Sequence, residues 1–402
     1  MKQLQLLTHA NFDLMGKKFL FIGISAVAMA ISLFFLATRG LNYGIDFRGG
    51  TEVRVKFLSD PAVEKIRQEL EALKLGDVNI QRIGKAEERE LLVRLGQKSG
   101  VKAEGGLIGS GDVSERVLSA IRPEKDRQLA ASGKINLNEA SAGSLETWLI
   151  SRVEEGRRSG RISGSVALDP RAAAEALVAA RDSHGGMFHT LDAIRGIPGV
   201  AGEIDSLLRE GSFLGEVAPR SVEFVGPSAG KELFRKATWA VIGSNIGILL
   251  YVWVRFRFIW GVAGVLALLH DVVLSLGALA FTQKEFSLTV VAALLTIVGF
   301  SINDTVVVFD RIRENLRIHR AKDYELVVNA SINQTFSRTI LTQFTVLLCA
   351  TTLYLFGGDR LDALSFTLLV GFIAGSYSSI FVASPILVLH QRWWDSRRRR
   401  RA

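Results

Sequence analysis

The chain has 402 residues, 48% of them hydrophobic, a mean hydropathy of +0.25 and a formal charge of +9. That is more apolar sequence than one soluble core needs, and it is clustered rather than spread. The single cysteine, Cys349, falls inside an apolar run, which excludes an internal disulfide framework.

Residues 1–18 precede a first apolar run, 19–37, with no small-residue cleavage site after it. It continues into Thr38-Arg39-Gly40 and reads as a membrane span rather than a signal peptide. Residues 38–99 are polar and open with GLNYGIDFRGGTEVRVKF (40–57). Val53, Val55 and Phe57 alternate with Arg54 and Lys56, which predicts a half-buried strand after a Gly49-Gly50 turn. Asp60-Pro61 starts a helix with Val63, Ile66, Leu70 and Leu73 at three- and four-residue spacing, and Gly76 ends it. VNIQRI (78–83) and ELLVRL (90–95) are further strands. This order predicts a small α+β, ferredoxin-like domain with helices on one face of an antiparallel sheet.

Gly100, Gly105, Gly106, Gly109 and Gly111 then predict a flexible linker into an inserted helical module, residues 100–217. Its segments KINLNEASAGSLETWL (134–149) and GGMFHTLDAIRGIPGVAGEI (185–204) resemble parts of a tandem helix-hairpin-helix fold. Gly196 and Gly199 fit hairpin positions that need φ > 0, and Asn138 or Ser141 can cap a helix. Such hairpins can bind the DNA backbone through main-chain amides. The module has no dense Lys/Arg stripe, and 39–237 holds almost equal numbers of acidic and basic residues. A scaffold hairpin touching protein or nothing is therefore the favoured reading, and nucleic acid is not an expected partner.

Residues 218–237 return to the α+β domain and enter a second run, 238–254. Runs 258–281, 286–309, 338–356 and 363–389 follow, separated by short links, a longer link at 310–337 and a basic tail at 390–402. Each run approaches or reaches the ~20 residues that cross a ~30 Å hydrocarbon core. The chain is thus expected to be a polytopic α-helical membrane protein with six transmembrane helices and one large domain between the first two. Outside 39–237, Lys2, Lys17, Lys18, Arg255, Arg257, the 311–338 segment and the tail hold 17 Lys and Arg, whereas the opposite short links hold only Lys284 and Arg360. The asymmetry predicts cytoplasmic termini and a periplasmic large domain, and makes the 397–401 arginines topogenic rather than a DNA patch.

Charges within spans cost about 2.5–3.5 kcal/mol on insertion scales, so each needs a reason. Asp271, beside His270, lies about halfway along the third span. Asp304 lies in the fourth, in GFSINDTVVVFDRIREN (299–315), and Arg338 opens the fifth. Around Arg338 stand Gln334, Ser337, Thr342 and Gln343. Spans four and five run in opposite directions, so Asp304 and Arg338 share a membrane depth and can be neighbours. Ser301, Asp304 and Val308 fall on one helical face, and Asn303, Val307 and Asp310 on the next. Asp310, with Arg311 and Arg313, reads as the interfacial end of the span. For Asp304 two readings stand level on physics alone: an ion pair with Arg338 that fixes packing, or a proton site that loads and releases as Arg338 approaches or withdraws. Asp271 divides the same way, and His270 reads as a hydrogen-bonded packing residue. Gly261, Gly264, Gly371 and Gly375 supply small faces for close span packing. No GxxxxGK[ST] loop, catalytic triad or metal-ligand spacing is present, so neither an enzyme, a metal nor a cofactor is expected.

NYGIDFRGGTEV (42–53), VGPSAGKEL (225–233), LYVWVRFRF (250–258), ALLHDVVLSLG (267–277), GFSINDTVVVFDRIREN, SINQTFSRTI (331–340) and GSYSSIFVASPIL (375–387) resemble SecF of the SecD/SecF protein-export family, within the resistance-nodulation-division superfamily. The resemblance covers about 17–100 and 218–392. It implies an auxiliary subunit of the bacterial Sec translocase in the inner membrane, using the proton-motive force with a SecD-like subunit to promote polypeptide export. Implied partners are that subunit, the SecYEG channel and the translocating polypeptide, with a YajC-like small membrane protein as a further candidate. It places the family's proton-path aspartate on Asp304, its arginine on Arg338 and a less settled aspartate on Asp271, and tips Asp304 toward proton transfer. The 42–53 stretch takes a structural role. The insert departs from the ordinary family pattern. A proton-driven small-molecule or lipid exporter of the same superfamily is the alternative.

Overall fold

The computed structural model describes residues 12–73, 77–83, 88–96, 110–160, 162, 168–200, 202–319 and 323–400. The proposed Gly76 stop, the glycines at 100, 105, 106 and 109, and the tail's last arginine lie outside them. The chain divides into two compact units, Met1–Phe47 with Ala229–Ala402, and Arg48–Ser228. In chain order, α1 (Lys18–Thr38) precedes β1 (Asn42–Tyr43) and a single turn, α2 (Ile45–Arg48). Then come β2 (Gly50–Phe57), α3 (Val63–Ala72), β3 (Asp77–Ile83), β4 (Glu90–Gly96), α4 (Ser110–Ile121) and α5 (Glu124–Ala131). Next are β5 (Ile135–Asn136), α6 (Ala142–Arg158), α7 (Pro170–Ser183), α8 (Gly202–Gly211), β6 (Ser212–Phe213) and β7 (Val217–Val225). The rest is α9 (Pro227–Arg255), α10 (Phe258–Thr282), β8 (Glu285–Phe286), α11 (Leu288–Ile318), α12 (Tyr324–Phe356), α13 (Asp359–Ser378), a π-helical turn (Ser379–Ala383) and α14 (Ser384–Arg399).

In the sheet-bearing unit the strands lie in the order β3-β4-β2-β7, every neighbour antiparallel. The chain visits them as strand, helix, strand, strand, helix, strand, a split βαβ order. Alternation along β2 buries Val53, Val55 and Phe57 with Ile66 and Leu70 of α3 and Leu91, Val93 and Leu95 of β4. The opposite face carries ion pairs, Arg54 to Glu90 at 2.8 Å and Arg94 to Glu52 at 2.7 Å. The double glycine has a steric cause. Gly49 has φ +71°, and Gly50, at φ +143°, passes so near β4 that a Cβ there would stand 2.3 Å from the Leu95 carbonyl oxygen.

The helical segment inside this unit differs from the expected insert at its start. Gly111, read as linker, lies in the first turn of α4, and α4 puts Val117 and Ile121 into the core beneath the sheet. Beyond α4 a second core forms from Leu137, Leu145, Leu149, Leu177, Phe188, Ile194, Ile204 and Leu208. Gly196 and Gly199 adopt φ of +80° and +90°. Ser141 caps α6 by accepting from the Ser144 amide at 3.2 Å. Asn138 is no cap. It is buried, and its side-chain amide donates to the carbonyls of Phe188 and Gly215 while its oxygen accepts from the Phe188 amide at 2.8 Å.

Among the described residues, six helices of the other unit are long and apolar enough to cross a membrane, α13 to α14 counting as one. The third, the fourth and that last helix are the most buried; α1, α9 and α12 are mostly exposed. The segment 310–337, expected as a link, is almost all helix. With 31 and 33 residues, α11 and α12 reach about 46 and 50 Å at 1.5 Å per residue, well past a ~30 Å core. Their projecting ends are polar: Asn315 donates to Ser331 and Gln334, both at 2.8 Å, and Glu325 pairs with Lys18 at 2.6 Å. At the other end, β1 pairs in parallel with β8, and Tyr43, Phe47, Phe234 and Phe286 stack edge and face. Asp46 Oδ2 there accepts from the Leu288 amide at 2.9 Å and caps α11.

Candidate functional site

Small residues bring three helices together around Asp271. A Cβ on Gly371 of α13 would stand 2.1 Å from Ile297 of α11, and one on Gly375 3.1 Å from Ser301 Cβ and 3.6 Å from Asp271 Oδ2. The helices therefore approach closely enough for short side chains to meet. Asp271, on α10, is fully buried. Its Oδ2 accepts from Ser301 Oγ of α11 at 2.7 Å and from Ser378 Oγ of α13 at 2.8 Å. His270 Nδ1 lies 3.1 Å from Asp271 Oδ1, and its ring stacks on Tyr377 at 6.3 Å between centroids. The hydroxyls continue: Ser379 Oγ is 2.9 Å from Thr305 Oγ1, which donates to the Ser301 carbonyl at 3.1 Å. The π-helical turn presents Ser379 here, and its cause is Pro385. That residue has no N–H for the Phe381 carbonyl and its ring crowds it, so the ladder widens just before it.

Asp304 lies on the same buried face of α11 as Ser301, Thr305 and Val308, whereas Asn303 and Asp310 are exposed. Its Oδ2 accepts from Gln343 Nε2 of α12 at 2.7 Å. Arg338 is exposed and forms no ion pair with Asp304, so the two are not the direct neighbours that shared depth suggests. The reason is helical phase. Arg338 precedes Gln343 by five residues, about 140° around the helix at 100° per residue, so one faces the bundle and the other away. Thr335, Thr339 and Gln343 line the buried stripe of α12. Among the described residues, Gln343 Oε1 and His270 Nε2 are buried polar atoms without a partner. Asp310 is exposed and pairs with Arg255 at 3.1 Å.

Sequence reading thus named Asp271, Asp304 and Ser301 but passed over Ser378, Ser379 and Thr305. Three serines in GSYSS, within an apolar run, were the available signal. In the helical segment, α8 opens with Glu203 and Asp205, which repel a phosphate at that helix start and weigh against a DNA-backbone site.

Buried carboxylates on packed spans, with a double-glycine strand between the first two, define a class. A family model described as protein export membrane protein SecD/SecF, C-terminal, matches residues 208–393, and the SecD/SecF GG motif matches 34–57, which contains Gly49 and Gly50. Protein translocase subunit SecF of Koribacter versatilis is 36% identical over 406 residues, covering 97% of this chain and 94% of that protein. The SecF of Calditerrivibrio nitroreducens is 34% identical over 382 residues, covering 94% of both. This chain belongs to the SecF family of protein translocase subunits. The crystal structure of SecDF from Thermus thermophilus, a translocon-associated membrane protein, matches with a TM-score of 0.62 and 28% identity over 96% of this chain. A super-membrane-facing form of SecDF matches with a TM-score of 0.56 and 29% identity. The chain spans 39% and 41% of those SecDF chains.

Proposed function

We propose that this chain is a proton-driven subunit of the Sec translocase in the bacterial inner membrane, acting with a SecD-like partner and the SecYEG channel on emerging polypeptide. Asp304 is the proton-carrying group, Arg338 modulates it, and Asp271 with its serines forms a second station. The sheet-bearing unit is periplasmic and both termini are cytoplasmic, in line with the distribution of Lys and Arg. The observation that carries the reading is the environment of Asp304: a buried carboxylate within a span whose hydrogen bond comes from a neutral amide, not from a fixed cation. Such a group binds and sheds a proton without breaking an ion pair. Exposed Arg338 supports a second membrane unit against α12, because an arginine facing bare hydrocarbon is costly. A chain that spans about two fifths of SecDF also suits a complex in which another subunit supplies the rest.

In cells whose resident SecF is replaced by this chain, Asp304→Asn should cut export of a secreted reporter at least ten-fold with the protein still inserted at normal abundance. Asp304→Glu should recover a measurable part. Unimpaired export by the Asn variant would remove Asp304 from the proton path, and unimpaired export by Arg338→Gln would remove Arg338 as its modulator.

A further inference from the structure

At the end of the membrane unit opposite β1 and β8, a cavity of about 740 Å³ opens between the last turns of α9 and α11, the first turns of α10 and α12, and α14. Arg255, Arg257, Arg313, Arg317 and Arg398 line it, with no Asp or Glu among the lining residues. Of the nearby carboxylates, Asp310 pairs with Arg255 of the lining and Asp395 accepts from Gln391 of the lining, whereas Glu314 is held by Arg311 and Glu325 by Lys18 and Arg392. Arg257 and Arg317 have no carboxylate partner among the described residues, and the neighbouring undescribed residues 320–322 contain no acid. Ile259, Leu316 and Leu387 give the lining an apolar part, and Trp260, Tyr324 and Trp394 add aromatic rings. Some guanidinium groups are already held in place. Arg313 Nη1 donates to the Arg255 carbonyl at 2.9 Å and lies over the Phe256 ring at 5.5 Å, and Arg398 lies over Trp394 at 5.9 Å.

Arginines of which Arg257 and Arg317 have no carboxylate partner among the described residues, together with aromatic rings and apolar side chains at one end of the helices, match one chemistry. We infer that this cavity binds a phosphate-bearing anion, and that its source is the phosphodiester headgroup of an acidic phospholipid. Arginine forks suit phosphate oxygens, tryptophan and tyrosine belong at headgroup depth, and the apolar part takes the start of an acyl chain. The site lies apart from Asp271 and Asp304 and does not depend on their role.

The purified full chain in neutral detergent, examined by native mass spectrometry, should retain phosphatidylglycerol at least ten-fold over phosphatidylcholine at equal mole fraction. Arg257→Gln with Arg317→Gln should lose that retention about thirty-fold, from about five-fold per arginine. Neither residue makes an ion pair, so the thermal midpoint in detergent without lipid should not move. Arg257→Lys with Arg317→Lys, which keeps the charge, should retain most of the preference. Inorganic phosphate at millimolar concentration separates the sources: failure to displace the lipid assigns the headgroup, and displacement at low millimolar concentration assigns free phosphate to the same arginines. Equal retention of both lipids with no effect of phosphate, or unchanged retention in the glutamine variant, would overturn the site.

Discussion

At Asp271 the decisive quantity is the number of donors. A buried carboxylate that loses a hydrogen bond costs about 1–3 kcal/mol, more than the bond is worth while it exists. Ser301→Ala and Ser378→Ala each remove one donor from Oδ2 and leave cavities no larger than a hydroxyl. Each should lower the thermal midpoint of the detergent-solubilised chain, and in the Asp271→Asn background each should matter less. A coupling above ~0.5 kcal/mol in that cycle is expected, and additive effects would show that the serines serve packing alone. The residue scale also shows what a single chain reveals. Asp304 was legible because a charge inside an apolar run is costly wherever it points. Its partner was not. Arg338 is the stronger charge and has the right depth, but Gln343, with no charge to draw attention, has the right helical phase.

Between elements, the least legible contact is the cap on α11. Asp46 and Leu288 are 242 positions apart, and nothing in DFRGG announces a helix start in another part of the chain. The N-terminal amides of α11 are otherwise uncapped, since Ser287 makes no side-chain cap bond. Asp46→Ala should therefore cost about 1 kcal/mol, within the usual range for a lost N-cap, whereas Asp46→Asn should cost a few tenths. Amide exchange resolved at residues 288–291 measures this directly: the alanine variant should exchange several-fold faster there, with the β2–β4 amides unchanged. Equal protection in both variants would mean that β1–β8 pairing alone holds the helix start. Spans, by contrast, were legible as elements because hydrocarbon imposes length and composition together. Their ends were not, because α11 and α12 continue as helices after the apolar pattern stops, held by polar bonds such as Asn315 to Ser331.

For the whole chain, the boundary of the helical segment is the point where composition misled. Glycines near 100–111 look like a linker, yet α4 begins at Ser110 and its Val117 and Ile121 sit in the core with Val53 and Leu91. Only contacts distant in sequence reveal that α4 is the sheet's second helix. A detachable part is expected to begin only after α4, where the chain on either side is tied together: Asp126 Oδ2 accepts from the Glu216 amide at 2.8 Å. Its core, built on Leu145, Leu149 and Phe188, shares no residue with the one under the sheet. The sheet face that it leaves behind, around Lys56 and the Arg54–Glu90 pair, is already charged and tolerates water. Replacing 128–214 with a short Gly-Ser turn should therefore leave a folded sheet, seen as a protease-resistant fragment that reaches β7 in the detergent-solubilised chain. Removing 110–215 instead strips Val117 and Ile121 from the core, a loss of several kcal/mol for two large buried side chains, and should leave the strands open to digestion. Equal resistance of the two deletions would show that α4 belongs with the helical segment after all.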